Sequence, residues 1–208
     1  MLNLYWHTIK YLHVQQIFYQ ILYRLYKPSP KFCKDTSIDE FLPLQTSWPQ
    51  ASVCAASLSD DLEFSALNIS AKITDPNIWN SQKLAKLWLY NLHYFDVLRS
   101  DAQAFKLKKY IAIWLEHNRE GEGCGWEPYP IAIRVINWIK WFSETGIYEK
   151  EWLDSLAMQS EYLFRRVEYH ILGNHILTNA KALVFVGSFF VGKRAQAWLQ
   201  KGIRLLQK

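Results

Sequence analysis

The residues best suited to chemistry lie in the stretch Glu168-Tyr-His-Ile-Leu-Gly-Asn-His-Ile-Leu-Thr-Asn-Ala-Lys-Ala182. Gly173 ends one helical pattern, and Asn174 is a good residue to cap the next. Read as structure, Asn174 is the N-cap and His175 a first-turn residue. Read as chemistry, the same geometry does more. A helix N-terminus draws anions through its free N–H groups and its macrodipole. The dipole also favours neutral imidazole, which gives or takes a proton near neutral pH. An amide and an imidazole placed there can hold a substrate carboxylate and take part in proton transfer.

Two more stretches set polar groups among aromatic and apolar ones. In Leu87 to Asp96, Tyr90 and Tyr94 stand one helical turn apart and Asn91 falls in the apolar stripe. A buried Asn must satisfy both ends of its amide. It does so through an internal hydrogen bond or by facing a polar groove. In Gly125 to Trp141, Pro128 and Pro130 hold an extended entry to a helix, on which Arg134, Asn137, Trp138 and Trp141 occupy neighbouring faces. Arginine beside tryptophan rings is a structural cation–π stack or a sugar platform whose guanidinium clamps a carboxylate. The sequence leaves both open.

Other chemistries lack their residues. His170 and His175 are separated by a glycine break with no carboxylate at ligand spacing, and His7 and His13 do not share a helical face, so no metal is expected. Cys33, Cys54 and Cys124 are widely spaced and form no CxxC, which excludes a zinc knuckle and a disulfide framework. No GxGxxG, GxxxxGK or GxSxG occurs, so neither a nucleotide cofactor nor a serine hydrolase is indicated. The net charge of +5 suits an anionic partner, but no run of basic residues points to nucleic acid. No stretch is apolar enough for stable membrane insertion. The N-terminus lacks the parts of a signal peptide, and the chain is expected to be soluble, its compartment unassigned.

The elements that must position these residues are mostly helical. Tyr11, Val14, Phe18, Leu22 and Leu25 recur at helical spacing over 4–26, up to Pro28 and Pro30. That helix is expected to be a packing arm rather than a membrane-surface helix. Residues 28–80 are rich in Pro, Ser and Thr, with room for one or two short strands between Leu62 and Ile73, and are expected to lie across something larger. Beyond them the periodicity predicts helices at 81–99, 102–118, 130–145, 149–170, 174–191 and 193–207. Small residues on the helix from 174, among them Ala180 and Gly187, allow close helix contact. The short connections make sequential helices antiparallel neighbours. The expected fold is all-α: an irregular arm over 1–79, then 80–208 as an incomplete α/α toroid of antiparallel helical hairpins. The 10 Trp, 12 Tyr and 11 Phe suit a core together with a groove lined by flat rings.

Taken together, the opening Tyr5-Trp-His-Thr-Ile-Lys-Tyr-Leu with Gln15 and Tyr19, LWLYNLHYFDVL at 87–98, WEPYPIAIRVINWIKW at 126–141 and HILGNHILTNAKALVFVG at 170–187 resemble the N-terminal α-helical domain of heparinase II/III-like polysaccharide lyases. They follow the family's order and cover most of the chain. The resemblance implies a toroid whose groove binds an acidic polysaccharide, cleaved by β-elimination at a uronic acid. It implies that Asn174 neutralises the uronate carboxylate and that His175 assists as a second contact or proton acceptor. Asn91, His93, Tyr94, Trp126 and Arg134 become candidate subsite residues. The family's catalytic tyrosine and the β-sandwich that follows it have no counterpart after His175. The chain is therefore expected to be inactive without a C-terminal lyase portion. The alternative is a non-catalytic helical domain that binds acidic carbohydrate.

Overall fold

The structure of the protein is a computed structural model that describes residues 12–26, 40–44, 48, 56–100 and 102–207. Among them are seven α-helices: α1 (Val14–Leu25), α2 (Lys86–Tyr94), α3 (Ala104–His117), α4 (Pro128–Thr145), α5 (Lys150–Arg165), α6 (Asn174–Phe189) and α7 (Lys193–Leu206). Ahead of α2 stands an antiparallel meander of β1 (Ala56–Leu58), β2 (Glu63–Ala66) and β3 (Ile69–Lys72). The all-α expectation is thus corrected to mostly α with one small sheet. The short strands expected between Leu62 and Ile73 are β2 and β3, whereas β1, ahead of Leu62, is too short to show alternation. The β2–β3 link is a two-residue turn in which Leu67 and Asn68 take φ of 51° and 61°, the handedness that matches strand twist. Phe64 and Ala66 then point inward, and Phe64 meets Trp88 edge-on.

Two helices are shorter than their periodicity. Phe95 adopts a left-handed conformation (φ 61°) and ends α2, after which Asp96–Arg99 form a 3-10 turn. The helix expected over 149–170 stops at Arg165. Beyond it the Glu168 N–H donates to Asn179 Oδ1 at 2.9 Å instead of to its own helix. Leu172 and Gly173 then take φ of 66° and 56° and turn the chain into α6.

Contacts fix the directions. Tyr129 of α4 meets His175 of α6 at their N-terminal ends, and Lys140 reaches Phe185 farther along, so α4 and α6 are parallel. In the same way His93 and Tyr94 of α2 meet Arg134 and Asn137 of α4, in parallel with it. Helices α3, α5 and α7 run the other way: Trp114 meets Arg134 while Ala104 shares a hollow with Thr145, Trp152 meets Phe142 while Gln159 meets Arg134, and Leu199 lies against Gly187 while Gly202 lies against Ala180. The α6–α7 pair is tight. A Cβ on Gly187 would stand 2.5 Å from the Leu199 backbone nitrogen, and one on Gly202 would stand 2.8 Å from the Ala180 carbonyl.

The aromatic residues go inward. Of the nine described tryptophans, all but Trp48 are buried, so the expected ring-lined groove gives way to a ring-filled core. Phe95 stacks on Tyr110 at 4.3 Å, and Trp114 meets Trp138 edge-on. Burying rings in offset and edge-on pairs stabilises the core beyond the area they cover.

The arm is draped over this body. Leu42 N–H donates to the Phe189 carbonyl, Val191 N–H to the Glu40 carbonyl and Leu44 N–H to Ser143 Oγ. Helix α1 docks through Gln16, whose amide reaches the Ile171 carbonyl (3.4 Å), through Tyr23, which donates to the Val167 carbonyl (2.7 Å), and through Tyr19, whose ring lies 4.5 Å from that of Tyr169. The stripe expected to pack faces the other way: Val14, Phe18 and Leu25 are exposed. The portion of this helix expected before residue 12 lies outside the described residues, as do Cys33 and Cys54.

Candidate functional site

The starts of three parallel helices meet at one end of the body. Helix α2 brings Lys86 and Tyr90 from its first turns and Tyr94 from its last residue, α4 brings its N-cap Glu127 and Tyr129, and α6 brings Asn174 and His175. Gly173, not Asn174, is the N-cap, so Asn174 is the first helical residue. The first intrahelical bond runs from Leu177 N–H to the Gly173 carbonyl. The N–H groups of Asn174, His175 and Ile176 therefore face out of the helix start with its positive pole. Asn174 is exposed, and its amide has no partner among the described residues.

His175 is held from two sides. Its ring lies 4.4 Å from that of Tyr129. Its Nδ1 lies 3.2 Å from Glu168 Oε2, at ion-pair distance but without hydrogen-bond alignment. The His175 side chain keeps 32% of its surface in solvent, whereas that of Glu168 keeps 6%. Glu168 is clamped in turn: Asn179 Nδ2 donates to Oε2 at 3.2 Å. Burial raises the Glu168 pKa, and the neighbouring His175 and Asn179 oppose that rise. The arrangement is a partly exposed imidazole backed by a buried carboxylate, which orients the ring.

Around it stand phenols. Tyr90 donates to Glu127 Oε2, and Lys86 pairs with Glu127 Oε1 at 2.8 Å. Burial raises the pKa of both Tyr90 and Tyr94. The Glu127 carboxylate adds to the rise at Tyr90, the Tyr129 phenol to that at Tyr94. These phenols stay protonated at neutral pH and act as donors, not bases.

Of the other residues singled out in sequence, Arg134, His93 and Trp126 turn inward and Asn91 stays half-buried. Arg134 is fully buried. It donates from Nε to Gln159 Oε1 (2.7 Å), from Nη1 to the His93 carbonyl (3.1 Å) and from Nη2 to the Gly125 carbonyl (2.9 Å), and it lies 4.1 Å from the centre of the Trp114 ring. Of its two readings in sequence, the geometry is that of the structural cation–π stack. His93 is also fully buried. Its Nδ1 accepts from Trp114 Nε1 at 3.0 Å, so Nε2 carries the proton and donates to the Trp79 carbonyl at 2.9 Å. Burial, with Arg134 next, pulls its pKa down to about 3, and it is neutral at physiological pH. Trp126 is buried on Trp114 and donates to the Asn118 carbonyl. Asn91 donates back to the Leu87 carbonyl at 2.8 Å, the internal bond rather than a groove contact. Tyr94 alone of these five lies beside the cluster.

Glu127, Tyr129, Glu168 and Asn179 complete the site and were given no role from sequence. The signal available was Glu168 and Asn179 as polar residues in otherwise apolar surroundings, eleven positions apart. No group of three potential metal ligands occurs among the described residues, and no helix there is long and apolar enough to cross a membrane. No family model, curated protein or solved structure matches the chain.

Proposed function

We propose that this chain is the helical, substrate-holding part of a polysaccharide lyase that acts on a uronate-containing glycan, of the heparinase II/III-like kind. The observation that carries the reading is the start of α6: Asn174 and His175 side by side, three outward N–H groups, and a buried Glu168 behind the imidazole. The alternation of α2, α4 and α6 with the opposed α3, α5 and α7 supports an arc of an α/α toroid.

In β-elimination the proton on C5 leaves, the C4–O bond breaks, a C4=C5 double bond forms and the departing oxygen takes up a proton. The C5 proton is weakly acidic while the adjacent carboxylate is charged. Asn174 and the α6 N–H groups donate to that carboxylate and stabilise the enolate-like charge that develops, an effect of roughly 2.7–4 kcal/mol per donor in other enzymes. His175, oriented by Glu168, is the second carboxylate contact or the proton acceptor. The Tyr94 phenol is a donor to sugar oxygens, whereas the Tyr90 hydrogen is committed to Glu127 and leaves its oxygen as an acceptor. The principal proton-transfer tyrosine is expected in the C-terminal portion. A module that binds acidic carbohydrate without chemistry draws on the half-buried Tyr90 and Tyr129 and on the α6 N-terminus, since Arg134 and Trp126 are interior.

The test is to join the chain to that portion and follow unsaturated uronate ends spectrophotometrically. Asn174→Ala is expected to depress release about a hundredfold. Release at the wild-type rate in that variant would overturn the reading.

A further inference from the structure

A second polar cluster lies farther along α4 and α6. Lys140 Nζ stands 4.8 Å from the centre of the Trp48 ring and 5.7 Å from that of Phe185, and Lys181 Nζ stands 5.9 Å from Phe185. Trp48 and Phe185 lie against each other at 5.3 Å, forming a floor of two rings. Arg99 stands nearby, at the end of the 3-10 turn that follows α2. Burial, then Arg99 and Lys181, disfavour the charge on Lys140, and Glu144 acts in the opposite sense. Neither lysine has an ion-pair partner among the described residues. Trp48 Nε1 is a buried donor without an acceptor among them. Beside the cluster opens a hollow of about 420 Å³, with Trp48 and Arg99 in its wall.

Gathering like charges is unfavourable, and so is burying an indole N–H unpaired. An anion relieves both, because the two ammonium groups and the indole N–H are all donors. The ring floor fits a sugar face. We propose that Lys140 and Lys181, floored by Trp48 and Phe185, form a subsite for a second negatively charged group of an acidic oligosaccharide. The assignment of the ligand as a glycan rests on the proposed function above. Lys181 lies six residues beyond His175 on α6, about 9 Å at the helical rise, and Lys140 lies eleven beyond Tyr129 on α4, about 16 Å. That is the reach of a short oligosaccharide, and it requires a glycan charged at intervals rather than at one residue.

The test is calorimetric titration of the full chain with hexamannuronate, a heparin hexasaccharide and neutral xylohexaose, with the Trp48 indole resonance followed by NMR. Lys140 and Lys181 lie outside the core, so K140Q/K181Q is expected to fold, which circular dichroism checks. The exposed K181Q alone serves as the milder variant. The wild type is expected to bind an acidic hexasaccharide and not xylohexaose, with the Trp48 resonance shifting. K181Q is expected to weaken binding about tenfold and the double variant about a hundredfold. If the lysine variants bind as tightly as wild type while N174A weakens, the subsite falls and the reading of α6 stands. If the lysine variants weaken and N174A and H175A do not, the subsite stands and the α6 reading falls. If the wild type binds no acidic hexasaccharide, or binds xylohexaose equally, both fall. Tighter, lysine-dependent binding of oligouridylate or phosphatidylserine vesicles would overturn the assignment to a glycan.

Discussion

Arg134 and His175 look alike in sequence, each a nitrogen base among aromatic residues near the start of a helix, yet they lie in opposite environments. Arg134 has every donor group committed to the interior: Gln159, two backbone carbonyls and the face of Trp114. His175 has one buried neighbour, Glu168, and an open face. A polar group with all its partners supplied by the fold holds the fold together. One with a partner on one side only is available to a ligand. The difference is set by depth, and depth follows from position along α4 and α6, not from residue type.

The sharpest way to break this comparison is to truncate both. Arg134→Ala leaves two carbonyls and Gln159 without a donor, and it is expected to cost about 3–5 kcal/mol, as removal of a buried charged partner does. His175→Ala is expected to stay within about 1 kcal/mol of wild type, as partly exposed positions do. Urea unfolding of the two variants decides it, and equal losses would erase the distinction. Next in size is Gly187→Ala, whose Cβ meets the Leu199 backbone at 2.5 Å and forces α6 and α7 apart. A loss of about 1–3 kcal/mol is expected by the same measurement.

The two sites also differ in how they respond to pH. Folded His93 titrates at about 3, against about 6.5 in the unfolded chain. Between those values the unfolded state binds the extra proton, so stability is full above 6.5 and falls as pH drops towards 3. Unfolding midpoints from pH 7 to pH 4 are expected to fall more steeply for wild type than for His93→Gln. Glu168 works in the reverse sense and more weakly. Burial raises its pKa, so the folded chain keeps a proton that the unfolded chain has lost, and stability falls as pH rises through that window. Glu168→Gln is expected to remove that fall and to be no less stable than wild type at neutral pH. A neutral-pH loss comparable to that of Arg134→Ala would place Glu168 with the interior group.

Much of this was legible in the chain. The helices after residue 80, their short antiparallel links and the close α6–α7 contact through Gly187 follow from periodicity and small residues. Of the small sheet, β2 and β3 fall where one or two short strands had room, but β1 was not legible, because three residues show little alternation. The early end of α5 was not, because it depends on Asn179 capturing the Glu168 N–H from another helix. In the candidate site, Asn174 and His175 stood out through the glycine before them. His93, Trp126 and Arg134 looked equally promising because a fully satisfied polar group and a waiting one share a composition. Only their hydrogen-bond partners tell them apart, and those come from distant elements.

The docking of α1 has a kinetic side. Its Gln16 closes on the Ile171 carbonyl across 155 positions of sequence, on the loop that turns into Asn174 and His175. A contact of such separation closes a large loop and is costly to form early. The loop that presents the candidate site is therefore among the last parts of the molecule to be fastened, and its amide protons should be among the latest to gain protection during refolding.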